Sequence, residues 1–173
     1  MSGQRLFFAL WPDRQVREAF SALAQGVELA EGRRHQAEDL HLTLVFLGQT
    51  AQSQRRCIED VASGIRLPSF ELLIDHAGYW SRPRIFWASP KDTPRALSQL
   101  VADLNLALQG CGFEPEKRTY KPHVTLYRKA RRVASAQLTP SITWQVSDFV
   151  LASSADPGSS GTRYQVLRRW ALE

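Results

Sequence analysis

Two of the four histidines in this chain are followed two residues later by threonine, in His41-Leu42-Thr43-Leu44 and His123-Val124-Thr125-Leu126. An imidazole beside a hydroxyl is a proton carrier beside a neutral hydrogen-bond donor. Two such pairs facing each other would bracket a phosphate. One histidine could take a proton from an attacking oxygen while the other gives one to a leaving oxygen. The two hydroxyls would hold the non-bridging oxygens as charge shifts in the transition state. That is acid–base chemistry on a phosphodiester without a metal. Threonine stands two places beyond a given residue about one time in twenty on ordinary composition, so two such pairs among four histidines exceed chance. His35, in a polar stretch, and His76, beside Asp75, lack the threonine and read as structural or surface residues.

Chemistry of this kind needs rigid elements to aim the side chains. Both motifs sit in alternating runs, Asp39 to Gly48 and Lys121 to Arg128, the mark of half-buried strands. Residues two apart on a strand share a face. Each histidine therefore lies beside its threonine, and the leucine or valine between them points to the core. Leu6 to Leu10 reads as a buried first strand, and Pro12-Asp13 opens a helix to about Gly26. Glu31 to Ala37 reads as a loop, Ala51 to Gly64 as a helix, and Phe70 to Ile74 with Arg84 to Ala88 as strands joined through Gly78 and Pro83. Thr93-Pro94 starts a third helix that ends near Gly110-Cys111-Gly112. Trp144 to Ala152 and Tyr164 to Leu172 are two further apolar stretches, joined by a flexible connection from Asp156 to Gly161. Strands joined by short turns favour an α+β fold with antiparallel pairing. Each half of the chain repeats a helix, a polar stretch and a His-x-Thr strand, which implies two lobes facing across a cleft.

The 173 residues, 43% hydrophobic and 23% charged, suit one domain, residues 1–173, with a sizeable core. No apolar run reaches the length of a membrane span, and Pro12-Asp13-Arg14 interrupts the N-terminal apolar run too early for a signal peptide. Cys57 and Cys111 form no Cys-x-x-Cys spacing, so reduced thiols in the cytoplasm are the expectation. The formal charge of +5 suits a polyanionic partner. Basic clusters fall at Arg33-Arg34, Arg55-Arg56, Lys117-Arg118 and Arg128-Lys129 with Arg131-Arg132. Solvated faces and helix ends account for most of them. Arg128 differs, because its strand ties it to the second motif.

These residues resemble the 2H phosphoesterase superfamily, and within it the bacterial and archaeal branch of RNA 2′,3′-cyclic phosphodiesterases, also described as 2′-5′ RNA ligases. The resemblance covers nearly the whole chain. It rests on Arg5-Leu6-Phe7-Phe8-Ala9-Leu10, on Leu40 to Gly48 with its Phe46-Leu47-Gly48 ending, on Pro122 to Arg128, and on the tail from Thr162-Arg163-Tyr164 through Arg169-Trp170. It implies a bilobal fold of two pseudo-symmetric antiparallel sheets, with helices outside and the active site in the central groove. It implies hydrolysis of RNA 2′,3′-cyclic phosphate ends, or of nucleoside 2′,3′-cyclic phosphates, to 2′-phosphomonoesters, with the reverse 2′-5′ joining by the same groups. His41 is then the proton donor and His123 the acceptor, roles that the sequence itself leaves symmetric. Thr43 and Thr125 hold the phosphate, and Arg128 reaches phosphate or a neighbouring nucleotide. Phe7, Phe46 and Tyr127 are candidate substrate contacts, with Phe8 and Trp80 as further aromatics that could stack on a base. No cofactor is implied, no phosphate-loop motif is found, no metal is called for, and a monomer is expected.

Two rivals belong to other classes. A metallohydrolase would use His41, His123 and a carboxylate from Asp39, Asp75 or Asp148, but no Glu-x-x-His or His-x-His spacing supports it. A non-catalytic RNA-binding module fits the basic charge and leaves the paired motifs without a task.

Overall fold

The computed structural model describes residues 3–27, 32–131, 134–155 and 161–173. In chain order these form β1 (Gln4–Leu10), α1 (Arg14–Gln25), β2 (Arg33–Arg34), a 3-10 turn (Ala37–Asp39), β3 (Leu42–Thr50), α2 (Gln52–Ala62), β4 (Phe70–Trp80) and β5 (Ile85–Ser89). Then come α3 (Arg95–Gln109), β6 (Val124–Arg128), β7 (Ala136–Val146), β8 (Asp148–Ser154) and β9 (Tyr164–Ala171). The strands run in the order β7-β4-β5-β6-β3-β1-β8-β9, with β2 alongside β6. The pairings are antiparallel, and the fold is α+β. The expected two sheets are the halves β7-β4-β5-β6 and β3-β1-β8-β9. They join edge to edge at the two motif strands through a single pair, Leu42 with Val124.

Helix α1 begins where Asp13 accepts the Val16 amide at 2.9 Å, a cap that satisfies one free N–H of the first turn. Val16, Phe20 and Ala24 are its buried stripe. Although α1 leaves β1, it packs on β6 and β7 of the other half, with Phe20 edge-on to Trp144 at 6.1 Å. Helix α3 buries Leu97, Leu100, Val101, Leu104 and Leu108; it leaves β5 and packs on β3. Each half is thus covered by the helix that departs from the other. Phe8, Leu10, Leu42, Leu44, Val124 and Leu126 join these helices in one core, each buried side chain contributing roughly 1.5–3 kcal/mol.

Several elements differ from expectation. Strand β4 runs on to Trp80, so Gly78 lies inside a strand and not in a turn. The apolar stretch Trp144 to Ala152 is two strands broken at Ser147, because β7 and β8 have different partners, β4 and β1. Arg33–Arg34, expected in a loop, is a two-residue strand paired with β6. Cys57 and Cys111, expected as free thiols, form a disulfide across 54 residues. Packing of α2 against the C-terminal end of α3 brings them together, which spacing alone does not convey. The connection expected from Asp156 lies, up to Ser160, outside the described residues.

Candidate active site

The seam strands place the four motif side chains together. Leu42 and Val124 are opposite each other and fully buried. In an antiparallel pair, directly opposed residues share a face. One residue further along that register, His41 faces Thr125 and Thr43 faces His123, both pairs on the side away from the core. The result is a square of side chains with histidines on one diagonal and threonines on the other.

The two imidazoles are held alike. His41 Nδ1 lies 2.7 Å from the Asp39 carbonyl, and His123 Nδ1 lies 2.8 Å from the Lys121 carbonyl. A carbonyl only accepts, so each Nδ1 carries the proton and donates. Each Nε2 is left to exchange a proton with a ligand. The main chain two residues upstream thereby sets the tautomer of both rings.

Their surroundings differ. His41 stacks on Trp11 at 5.1 Å, leans on Phe7 at 5.0 Å and meets the edge of Tyr164 at 4.7 Å. Phe7, Ala9, Val150 and Ala152, with Trp11, Tyr164 and Val166, form a second apolar cluster beneath this histidine. Burial pushes the His41 pKa down to about 4; the Asp39 carbonyl opposes this, and Arg128 and His123 add to it. Asp39 is itself buried, and its carboxylate accepts the amides of Arg163 and Tyr164 at 2.9 and 3.3 Å. It thereby fastens the start of β9, and with it Tyr164, against His41.

His123 meets the edge of Trp80 at 4.6 Å, and Trp80 leans on Trp87 at 5.2 Å. Burial lowers its pKa, opposed by the Lys121 carbonyl and reinforced by Arg128. The Trp87 indole lies over Gly78, its cross-strand partner; a Cβ there would overlap the six-membered part of the ring. Gly78→Ala is therefore expected to cost about 1–3 kcal/mol by overpacking and to displace Trp80 from His123. Denaturant unfolding and the His123 imidazole resonances measure both effects; unchanged stability and resonances would contradict this packing chain.

Arg128 reaches the same site through an irregularity. Plain alternation would put Tyr127 with His123 and Thr125 and turn Arg128 to the core. The β5–β6 register shifts between Phe86–Tyr127 and Trp87–Thr125, and such a bulge reverses the faces beyond it. Tyr127 turns inward, donating from its hydroxyl to the Ala24 carbonyl of α1 at 3.2 Å and packing on Phe86. Arg128 turns toward the site, where its charge depresses His35, His41 and His123. The expectation of a substrate-facing Tyr127 is thus corrected.

The other sequence candidates separate clearly. Phe8 is core, and Phe7, 3% exposed, is covered beneath His41. Phe46 stands 57% exposed with the Arg5 guanidinium 5.5 Å from its ring centre. It lines a groove of about 1240 Å³ that also takes in Thr43, Trp80, Arg82, Lys121 and His123. That volume exceeds the roughly 300–1,000 Å³ of an ordinary small-ligand site. Tyr120, on the same loop as His123, donates to the Thr43 carbonyl at 2.8 Å and ties the loop to the opposite motif strand. His35, read from the sequence as structural or surface, is buried. Among the described residues its ring nitrogens have no hydrogen-bond partner, and burial, with Arg128 and His41 nearby, lowers its pKa to about 4.

The carboxylates considered as metal ligands are engaged elsewhere. Asp39 binds the β9 amides, Asp75 accepts from the Lys91 amide at 2.7 Å and meets His76, and Asp148 pairs with Arg169 at 2.7 Å. None stands with His41 and His123 as a ligand set.

Two motif strands meeting edge to edge at Leu42 and Val124, each preceded by a tautomer-fixed histidine beside a threonine, define a two-histidine phosphoesterase architecture. The chain belongs to the 2′-5′ RNA ligase superfamily, whose model matches residues 12–157. It is 37% identical over 173 residues to the RNA 2′,3′-cyclic phosphodiesterase of Escherichia coli (strain K12), covering 98% of this chain and 97% of that one. The crystal structure of E. coli LigT in apo form superposes with a TM-score of 0.90 at 34% identity, and that of its complex with 3′-AMP with 0.90 at 35%; each covers 99% of both chains.

Proposed function

We propose that this chain is an RNA 2′,3′-cyclic phosphodiesterase, a single two-lobed domain that opens 2′,3′-cyclic phosphate ends to 2′-phosphomonoesters. The observation that supports the reading is the Leu42–Val124 pairing, which brings the two His-x-Thr segments to one seam. In-line displacement at phosphorus needs an acid and a base on opposite sides of the phosphate. His123 would take the proton of the attacking water, and His41 would give one to O3′. The choice of His41 as donor follows the family resemblance. Thr43 and Thr125 would donate to the non-bridging oxygens, and Arg128 would hold the anion. Phe46, exposed on the groove that Trp80 also lines, would be available to stack on a base, whereas Phe7 supports His41 from beneath. With roles exchanged, the same groups would join a 5′-hydroxyl to the cyclic phosphate. The reading places the protein in the cytoplasm as a monomer, where the reducing poise would act on the Cys57–Cys111 bond.

The direct test follows adenosine 2′,3′-cyclic phosphate by phosphorus NMR in excess chelator. The 2′-monophosphate should accumulate at an undiminished rate. A 3′-monophosphate product, or activity that a divalent ion must restore, would reject the mechanism.

The pH dependence is expected to carry a sign. Burial and Arg128 hold both histidines below the ordinary value of 6.5 in the free protein. An anionic phosphate between them favours their charged forms and raises both. The profile of kcat/KM, which reports the free enzyme, should therefore centre on the acid side of pH 6.5. The kcat profile, which reports the complex, should lie alkaline to it. Coincident profiles would show that substrate leaves the pair unperturbed.

A further inference from the structure

Strand β2 is only two residues long, yet its placement is specific. It sets Arg33 directly opposite Arg128. Opposed residues of an antiparallel pair share a face, with Cβ atoms about 5 Å apart. Arg33 therefore stands beside the guanidinium that faces the three histidines. Like charges in this position destabilise a sheet, and among the described residues neither arginine has a carboxylate partner. The backbone is shaped to bring them together. Gly32 has φ +128°, and a Cβ there would stand 3.1 Å from the Ala130 Cα and 3.3 Å from the Arg128 carbonyl. Only glycine lets the chain enter so close to β6. Beyond Arg128, Lys129 is held at φ 54°, a left-handed conformation that a non-glycine residue adopts only under strain. His35 follows on β2's path and is buried, and among the described residues neither of its ring nitrogens has a hydrogen-bond partner.

A fold that spends strain and like-charge repulsion to align two arginines is built around an anion. Arg128 alone faces the histidine–threonine square. Arg33 lies one strand outward and is exposed. We infer that Arg33, aligned with Arg128, forms a second phosphate subsite that binds the internucleotide phosphate next to the cyclic end. The preferred substrate is then an oligonucleotide and not a mononucleotide. This inference rests on the functional reading above and adds to it a recognition of chain length by charge. Arg34 provides an internal control. It pairs with Tyr127, so it occupies the opposite face with the same charge.

The test compares three substrates: adenosine 2′,3′-cyclic phosphate, a diadenylate ending in a 2′,3′-cyclic phosphate, and the same diadenylate with a neutral methylphosphonate linkage. The unaltered protein should favour the phosphate-linked dinucleotide over both others by about tenfold or more in kcat/KM, as for one charge-assisted contact. Arg33→Gln should reduce that preference to within about twofold, and Arg34→Gln should retain it. Three outcomes would overturn the assignment: indifference of the unaltered protein to the linkage, an equal loss on all three substrates in Arg33→Gln, or the same loss of preference in Arg34→Gln. Turnover of the mononucleotide with no linkage effect removes only the subsite. Failure to turn over any of the three removes the functional reading itself.

Discussion

His41→Ala and His123→Ala are each expected to lower turnover of a nucleoside 2′,3′-cyclic phosphate by at least about a hundredfold, the lower range for losing a general acid or base. The two losses should not be equivalent in other respects. His41 is enclosed by Phe7, Trp11 and Tyr164, so its removal leaves a void lined by aromatic rings and lowers stability. His123 has a single ring neighbour, Trp80, within the described packing, and its alanine variant should unfold nearly as the parent does. Kinetics on the cyclic nucleotide, with thermal unfolding in parallel, separates loss of chemistry from loss of structure. Either variant retaining parental turnover while folded would remove that histidine from the mechanism.

Thr43→Val and Thr125→Val should each reduce kcat by about a hundredfold to a thousandfold, the cost of losing one donor to developing negative charge. Valine keeps the branched shape that suits a strand, so the substitution deletes a hydroxyl and little else. Thr125 is 9% exposed and Thr43 is half-buried. Both sit on the seam, where water competes weakly. KM for the cyclic phosphate should change much less than kcat, because the donors are matched to the transition state more than to the ground state. A rise in KM with kcat unchanged would assign the hydroxyls to ground-state binding instead.

The chemistry of this site was largely readable from local pattern. Alternation places His41 with Thr43 and His123 with Thr125 on a common face, and the buried Leu42 and Val124 confirm that the intervening positions point inward. What pattern could not convey depends on non-local geometry. The face of Arg128 is set by a bulge that exists only relative to β5; a strict period of two would have chosen Tyr127. Gly78 looked like a turn residue because nothing local reveals that the Trp87 indole, from the neighbouring strand, must lie over it. His35 sits among polar neighbours in sequence and becomes buried only because β2 docks on β6. The Cys57–Cys111 bond likewise waits on the packing of α2 against the end of α3.

The exchange of helices between the two halves bears on how such a molecule could arise and come apart. With α1 seated on β6 and β7 and α3 seated on β3, a cut between the halves would expose a helix's apolar stripe on one piece and an uncovered sheet face on the other. Neither piece would hold a finished interior. Two copies of a single half could nonetheless satisfy each other by trading helices, in the manner of a swapped dimer. Such a dimer would carry one His-x-Thr strand per subunit and a symmetric site at the joint, the arrangement that the present chain contains within one continuous polypeptide.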